Sequence, residues 1–463
     1  MTRPNCASRT RRHSLLPAAL LTVLVAAGAV AGATAVFSSR TQTLTEDFTG
    51  RFVAGVNASR VARVENTAYR RGFAGSTQTM TVVLQPEASD DPVRLLVTNH
   101  IQHGPFPGLR GVGQAVVDTD IRFADAKVQA QLDRAFAGKK PVIHTLVGLG
   151  GSTQTRIEVP TGSVSEDGDS VTWRALSGKV NVDGLTTRTN LTWPGLTVQS
   201  PDGRGEISGV SLSGTSRRSS SGDQLGVGQG TFTVARMQFS GGGQNVTLGA
   251  LRVTSESRLN GPDHYDGLAQ YDLGELTFAG TSLRDMQLHV GLRHLARAPL
   301  NRLMTLVGDL QRESRQAASP PSMPDLTDAQ TRQLEDDLLA LLRGNPRLTV
   351  DRLSVSQPGG SVLLTGQASL PGAASLSGEE LQMLGKMPQM LAGMLDVRLN
   401  AQADRQALQE LAALFGGGVA GGLNANVQSL VDAGYIRQAG NRLSTELTLR
   451  DGQPLLNGQA LGQ

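Results

Sequence analysis

The stretch RDMQLHVGL (284–292) alternates apolar and other side chains from its third residue onward. Successive side chains of a β-strand point to opposite faces of the sheet, so the two sets separate onto two faces. The apolar set is Met286, Leu288, Val290 and Leu292, and the opposite set is Gln287, His289 and Gly291. This pattern predicts a half-buried β-strand.

Similar short runs recur from residue 78 to residue 292, including TMTVVLQ (79–85) and NVTLGALRVTS (245–255). Turns rich in Gly, Ser, Asp and Asn separate them, and no helical pattern lies between them. Strands joined by short turns predict an antiparallel meander or sandwich rather than βαβ units.

Helical signals begin near residue 293. RAPLNRLMTLVGDLQRE (297–313) is expected to place Leu300, Leu303, Val307 and Leu310 on one helix face, and Thr327 with Gln330 is typical of a capping box. Asp451-Gly452 near the C-terminus predicts a tight β-hairpin. We therefore expect an α+β fold, with an N-terminal transmembrane helix, a large antiparallel β meander or curved sheet, and amphipathic helices in the C-terminal half.

These signals divide the chain into five expected parts. They are a cytoplasmic N-terminus (1–13), a transmembrane signal anchor (14–37), a β-rich exported domain (38–292), a helical segment (293–343) with a Pro-rich linker (318–325), and a mixed α/β part (344–463) ending in a β-hairpin.

The anchor is inferred from an uncharged run at Ser14–Phe37 that comes after Arg3, Arg9, Arg11 and Arg12. About 20 apolar residues cross a bilayer, and basic flanks stay cytoplasmic. We expect a single-pass inner-membrane protein whose C-terminal domain lies in the periplasm. A cleaved signal peptide is the alternative, because AGATA (31–35) offers small residues at cleavage-site spacing.

Composition argues against several function classes. The net charge is +3, and the basic residues are scattered among carboxylates rather than clustered with aromatics, so we expect no nucleic-acid partner. Cys6 is the only cysteine, which excludes an intramolecular disulfide and a CxxC zinc site. The common hydrolase, zinc-protease and P-loop motifs are absent from the sequence, and no cofactor is expected.

HIQHGPFPG (100–108) is the most unusual stretch of the chain. His100 and His103 could be read as metal ligands, but residues three apart on a strand point to opposite faces, and no acidic or His cluster lies nearby in sequence. In a structural interpretation, Pro105 and Pro107 stop the strand, Phe106 fills the core, and His103 bonds an unpaired carbonyl. We favour the structural interpretation and expect no metal.

Met383, Met387, Met390 and Met394 recur at helical spacing after Ser377. Methionine-rich faces are common where varied apolar partners bind, but they also fill gaps in a core. We keep these four residues as a candidate binding face and leave core filling open. Pro388 is expected to bend their helix.

Three segments resemble the bacterial YdgA-like family, a domain of unknown function. They are AYRRGFAGSTQTMTVVL (68–84), NHIQHGPFP (99–107) and TELTLRDGQPLLNGQ (445–459), and the signature residues that they carry are Tyr69, Arg71, Gly72, Phe73, Ser76, His103, Gly104, Pro105, Phe106, Leu456, Asn457 and Gly458. The resemblance implies a single-pass inner-membrane protein with a large periplasmic domain, and it implies no catalytic residue.

These observations leave two function classes. The first is a non-catalytic, membrane-anchored envelope protein, a β scaffold that binds an acyl lipid or another envelope component. The second is an envelope hydrolase that uses His103 with a carboxylate distant in sequence. A continuous apolar surface along one sheet face would favour the first class.

Overall fold

The computed structural model shows a predominantly β protein, with strand in 62% and helix in 19% of the residues that it describes. Those residues are 62–84, 93–109, 111–166, 168–220, 223, 225–278, 280–316, 326–386, 393–414, 427–450 and 452–460. The chain divides into two compact units. We call them the N-terminal unit, which runs to Asn181 and includes Leu196–Pro201, and the C-terminal unit, which comprises Val182–Gly195 and Asp202–Gln463.

The N-terminal unit is built on an antiparallel meander in which each strand from β1 to β6 pairs with the next. β7 pairs with β8, and β8 pairs with the last part of β10. The strands are β1 (Ala62–Arg71), β2 (Gly75–Leu84), β3 (Val93–His103), β4 (Ala115–Phe123), β5 (Val142–Val147), β6 (Thr153–Val159), β7 (Gly162–Glu166), β8 (Asp169–Trp173), β9 (Leu176–Asp183) and β10 (Thr186–Ser200), of which the last two lie partly in the C-terminal unit.

One face of this meander is largely buried from β2 to β6. In β3 the alternation buries Leu95 and Val97 and leaves the intervening Leu96 exposed. Helix α1 (Ala126–Ala135) comes after β4, and the Asp125 carboxylate caps it by accepting from two first-turn amides. Immediately after α1, Phe136 packs edge-on against Trp173 with ring centroids 5.5 Å apart, which completes a closed core.

The C-terminal unit is a wider antiparallel sheet of long strands. Each strand from β11 to β18 pairs with the next, β18 pairs with β20, and β20 is flanked by β19 and β21. The strands are β11 (Gly203–Arg217), β12 (Val227–Gly241), β13 (Gln244–Asn260), β14 (His264–Phe278), β15 (Thr281–Ala296), β16 (Arg347–Gln357), β17 (Gly360–Ser369), β18 (Asp396–Asp404), β19 (Arg437–Ala439), β20 (Arg442–Arg450), β21 (Gln453–Leu456) and β22 (Gln459–Ala460).

The helices of this unit lie between strands. They are α2 (Arg297–Gln316), α3 (Asp328–Arg343), α4 (Gly378–Lys386), α5 (Arg405–Leu414) and α6 (427–432). The capping box of Thr327 and Gln330 forms at α3. At α4 the Ser377 amide and hydroxyl donate to Glu380, and these hydrogen bonds hold the pKa of that carboxyl below its usual range.

The expected apolar stripe of α2 is wrong in one position. Leu306 is buried, whereas Val307 is exposed. Leu300, Leu303 and Leu310 are partly buried, so the buried stripe passes through Leu306 in place of Val307. The Pro-rich linker at 318–325 lies outside the described residues.

The α+β fold class is corrected by the structure. The helical signals mark helices, but these are insertions between strands that continue to pair with one another. β15 pairs with β16 although α2 and α3 separate them in sequence, and β17 pairs with β18 across α4. The described chain is therefore dominated by antiparallel sheet rather than divided between two classes of secondary structure.

The expected single-pass inner-membrane localisation is likewise corrected. Within the described ranges, no helix combines the length and apolar character needed to cross a bilayer, so the structure gives this localisation no support. The anchor predicted at 14–37, with the N-terminus that precedes it, lies outside those ranges.

Candidate functional site

The signature residues of the N-terminal unit gather at one end of its meander, in the β1–β2 turn and the β3–β4 loop. The amide of His103 donates to the carbonyl of Ala74 at 3.0 Å, which joins loop to turn. The Ser76 hydroxyl lies 2.8 Å from His103 Nε2. We call this region, residues 71–76 and 103–114, the signature corner.

Glycine is required at the centre of the corner. The Gly104 amide donates to Gln114 O at 2.7 Å, and Gly113 N donates to Pro105 O at 3.1 Å. A Cβ at Gly104 would lie 1.9 Å from the Gly113 carbonyl oxygen, closer than any van der Waals contact. The loop therefore closes on itself only because position 104 has no side chain.

Phe106 does not fill the core, so that part of the structural interpretation is wrong. Its side chain is 62% exposed, whereas Pro107 is fully buried and begins a short 3-10 turn. The compact pyrrolidine ring takes the interior position, and the larger phenyl ring is directed outward. His103 also bonds a hydroxyl rather than the carbonyl that we expected.

The hydrogen bond between Ser76 and His103 is the arrangement from which a nucleophile and its base are built. Ser76 is only 6% exposed, since it lies on the buried face of β2. Within the described residues, no carboxylate forms an ion pair with His103 that would orient its ring. The corner thus supplies two of the three groups of a catalytic triad, with the hydroxyl shielded from solvent.

The remaining signature residues of this unit do not join the Ser76–His103 pair. Tyr69 and Arg71 are exposed on β1, opposite Gln78 and Ser76 respectively. His100 is exposed on β3, and the described chain contains no group of three His, Cys, Asp or Glu side chains placed to hold a metal ion.

The second candidate region is the apolar face of the C-terminal unit. Directly paired residues of antiparallel strands share a face, so the register identifies rows that cross the sheet. One such row crosses nine strands, and its members are Leu212, Phe232, Val253, Tyr271, Leu288, Leu353, Leu364, Ala401 and Thr445. Eight inter-strand steps of about 4.8 Å make this row roughly 38 Å long.

Neighbouring rows on the same face are also apolar. Two of them are Val290, Val350, Gly366, Leu399 and Leu447, and Leu292, Leu348, Ala368, Val397 and Leu449. A third contains Val210, Val234, Leu251, Leu273 and Met286. We call these rows together the apolar track.

The adjacent row on the opposite face is largely polar. The row displaced by one residue contains Ser211, Thr233, Arg252, Asp272, Gln287, Ser354, Leu363, Gln402 and Ser444. On this face His289 pairs with Asp272 at 2.8 Å. Across these rows the sheet is therefore amphipathic, because one face carries apolar side chains and the other carries mostly polar ones.

Much of the track remains open to solvent. Leu353 is 43% exposed and Leu288 is 37% exposed, and Leu292, Leu348 and Tyr271 are exposed as well. Helix α5 lies beside β16, β17 and β18. Ala407 on α5 and Leu443 on β20 are buried. Sequence reasoning predicted the apolar face of β15 but not the residues that continue it across the sheet, because these depend on the pairing of nine strands.

The four candidate methionines are placed in different surroundings. Met383 is exposed on α4, while Met394 packs against the buried cluster of Leu339, Ala373 and Leu376. Met387 and Met390 lie outside the described residues, as does the bend expected at Pro388.

The C-terminal signature residue Asn457 closes the edge of the sheet. Its amide donates to Glu446 O at 2.7 Å, and its side-chain oxygen accepts from Glu446 N at 3.0 Å. Its side-chain nitrogen donates to Tyr435 O at 2.8 Å. Asn457 has a positive φ of 50°, which Asn tolerates better than most residues, and Gly458 comes next with a φ of 84°. One residue thus completes the pairing of β20 between β19 and β21.

A family model described as a bacterial protein of unknown function, DUF945, matches residues 15–462. The chain belongs to this family. The match to DUF945 includes the signature corner, the apolar track and Asn457. No curated protein and no solved structure matches the chain.

Proposed function

We propose that this DUF945 chain is a non-catalytic β scaffold that binds acyl lipid on the apolar track of its C-terminal unit. The observation that carries the proposal is the apolar row that crosses nine strands on one face, while the adjacent row on the opposite face is largely polar. Exposed apolar patches of more than a few hundred Å² mark binding surfaces in soluble domains.

The energetics favour a long, flexible, apolar ligand. Burial of apolar surface contributes about 25 cal/mol per Å², and it does so without demanding a particular geometry. Branched and aromatic side chains line the row, and its members offer few hydrogen-bonding groups: the Tyr271 hydroxyl and Thr445. Hydrocarbon is the chemistry that such a surface recognises, and its length suits an extended chain rather than a compact molecule.

The test is equilibrium binding of a fluorescent fatty acid to the purified chain, compared with a Leu288→Gln, Leu353→Gln variant. These leucines are direct neighbours on β15 and β16, and their partial exposure makes the substitutions compatible with folding. Two lost apolar contacts of about 0.7 kcal/mol each give an expected tenfold rise in Kd.

The matched control alters the other face of the same two strands. Gln287 and Ser354 are also direct neighbours, so a Gln287→Ala, Ser354→Ala variant should bind the fatty acid as the parent chain does. Absence of binding by the parent chain, or equal weakening in both variants, would refute the proposal.

We infer that Met383 of α4, with the methionines that follow it in sequence, adapts to the bound acyl chain. Met383 is exposed there, which leaves it available to a ligand. Methionine side chains are flexible, whereas leucine of similar volume is stiffer. Replacing Met383, Met387, Met390 and Met394 with Leu should alter the preferred acyl-chain length while total binding persists. An unchanged preference for acyl-chain length would mean that these methionines only pack within the protein.

A second candidate function is hydrolysis at the signature corner, which the 2.8 Å contact between Ser76 and His103 favours. It requires a carboxylate to orient His103 and access of substrate to Ser76. The test is ester hydrolysis by the parent chain and by a Ser76→Ala variant. Hydrolysis that the variant loses while it still binds fatty acid would establish that the signature corner is catalytic and not only structural.

Within DUF945 we infer that the chain is a YdgA-like member. The support is the sequence order of Arg71-Gly72-Phe73, His103-Gly104-Pro105-Phe106 and Leu456-Asn457-Gly458. A sequence comparison across DUF945 that groups this chain with members lacking the HGPF element would contradict this inference.

A further inference from the structure

The N-terminal unit exposes four large apolar side chains at one end of its meander. They are Phe73 in the β1–β2 turn, Phe106 and Val112 in the β3–β4 loop, and Leu149 in the β5–β6 turn. All four are more than half exposed, and Phe73 is completely exposed. Turns that join successive pairs of a meander lie side by side at the same end of the sheet. We call these four residues the apical cluster.

Hydrogen bonds join the three turns into one surface. The amide of His103 donates to Ala74 O at 3.0 Å, which ties the β3–β4 loop to the first turn. On the other side of the loop, Gln114 Nε2 donates to Leu149 O at 2.8 Å. The apical cluster is therefore a single surface on a rigid base rather than four unrelated exposed residues.

The charge of this surface has one sign. The turn sequences RRGFAGS (70–76), QHGPFPGLRGVGQA (102–115) and VGLGGST (147–153) contain no acidic residue, and their described residues include Arg70 and Arg71. Arg70 and Arg71 are exposed beside Phe73. Apolar tips beside exposed cations are complementary to an anionic surface with an apolar interior.

We propose that the apical cluster inserts into the interfacial layer of an anionic lipid surface. Phe and Leu side chains partition into the boundary between headgroups and acyl chains, and each Arg near an anionic membrane contributes about 1 kcal/mol of attraction. The contact is shallow and uses turns of the sheet, so it requires no membrane-spanning segment. It is independent of acyl binding on the apolar track, because different residues of a different unit carry it.

The experiment places a fluorescent reporter on the cluster in the full chain. Phe106→Trp and Phe73→Trp variants are mixed with vesicles of phosphatidylglycerol and phosphatidylethanolamine, one set of which carries bromine on the acyl chains. Native Trp173 and Trp193 are buried, so changes in emission report the new residue. We expect a blue shift with vesicles and quenching by the brominated lipid at both positions.

The matched control is Phe239→Trp, because Phe239 is a similarly exposed phenylalanine on the C-terminal unit. It should show neither effect. Arg70→Gln, Arg71→Gln in the Phe106→Trp background should raise the lipid concentration needed for half-maximal quenching about thirtyfold, as expected for the loss of two charges that each contribute about 1 kcal/mol near the surface.

Three results would overturn the proposal. The first is no quenching at either apical position, and the second is equal quenching of Phe239→Trp. The third is a blue shift without bromine quenching, since that would mean that protein, either a partner or the chain's own apolar segment at 14–37, covers the cluster. Equal quenching on phosphatidylcholine vesicles would refute the anionic requirement.

Discussion

The two units use the same alternation of side chains and end with different surfaces. In the N-terminal unit, the apolar face of β3 is closed, and Leu95 is 0% exposed. In the C-terminal unit, Leu288 and Leu353 hold equivalent apolar positions on β15 and β16 but keep more than a third of their surface in water. Period-two patterning predicts which residues share a face, but it does not say whether that face is covered.

The difference lies in the elements that cover each sheet. Helix α1, Phe136 and Trp173 close the core of the N-terminal unit, and Trp173 Nε1 donates to Pro160 O at 2.9 Å. In the C-terminal unit, described helices lie beside β15 to β18, yet track residues on these strands such as Leu288 and Leu353 remain exposed. An apolar face that is closed in one unit and open in the other supports the proposal that the open face binds a ligand.

The largest expected effect is on the closed core. Trp173→Ala removes a fully buried aromatic side chain and should lower the free energy of unfolding by about 3–5 kcal/mol. Leu353→Ala on the open track should cost less than about 1 kcal/mol, because its side chain is partly solvated in the folded state. Urea denaturation followed by circular dichroism compares them, and equal destabilisation would contradict the distinction between the two faces.

An intermediate effect is expected at the edge of the C-terminal sheet. Asn457→Ala removes two side-chain hydrogen bonds and places Ala at a positive φ, so it should cost about 2–4 kcal/mol. Asn457→Gly removes the same bonds without the backbone strain, and its cost should be lower by about 1 kcal/mol. Amide hydrogen exchange of Glu446 would report the opening of the edge. Protection that is unchanged in both variants would show that Asn457 does not close the edge.

The smallest effect is expected in the signature corner. Ser76→Ala removes one neutral hydrogen bond from His103 and should cost about 0.5–1.5 kcal/mol. Phe106→Ala should be close to neutral, because the side chain is mostly exposed. Thermal denaturation of both variants measures these costs. A loss of more than about 3 kcal/mol at Phe106, the cost of truncating a core aromatic, would restore the idea that this residue anchors the core.

Local features were predictable from the sequence. The Thr327 capping box forms, and Arg450 pairs with Gln453 across the Asp451-Gly452 turn as hairpin chemistry predicts. These features depend on residues close in sequence. Phe106 was misjudged because two prolines fix the backbone without determining which side chain faces inward, and Pro107 takes that position.

The features that bear on function required tertiary information. The α+β prediction overestimated the helices because the pairing of β15 with β16 across the insertion at 297–346 has no local signal. The apolar track and the apical cluster each combine residues from several turns or strands. The apolar track depends on the pairing registers of nine strands. The apical cluster depends on three turns lying at the same end of the meander.

Photo-crosslinking can locate a bound acyl chain on the C-terminal unit. The full chain would be irradiated with a fatty acid that carries a diazirine at the end of its acyl chain, and adducts would be located by mass spectrometry. We predict adducts at track residues such as Tyr271, Leu288 and Leu353, competed by unlabelled fatty acid and lost in the Leu288→Gln, Leu353→Gln variant. Adducts confined to the polar face or to the N-terminal unit would contradict acyl binding on the apolar track. Adducts that unlabelled fatty acid does not reduce would contradict it as well.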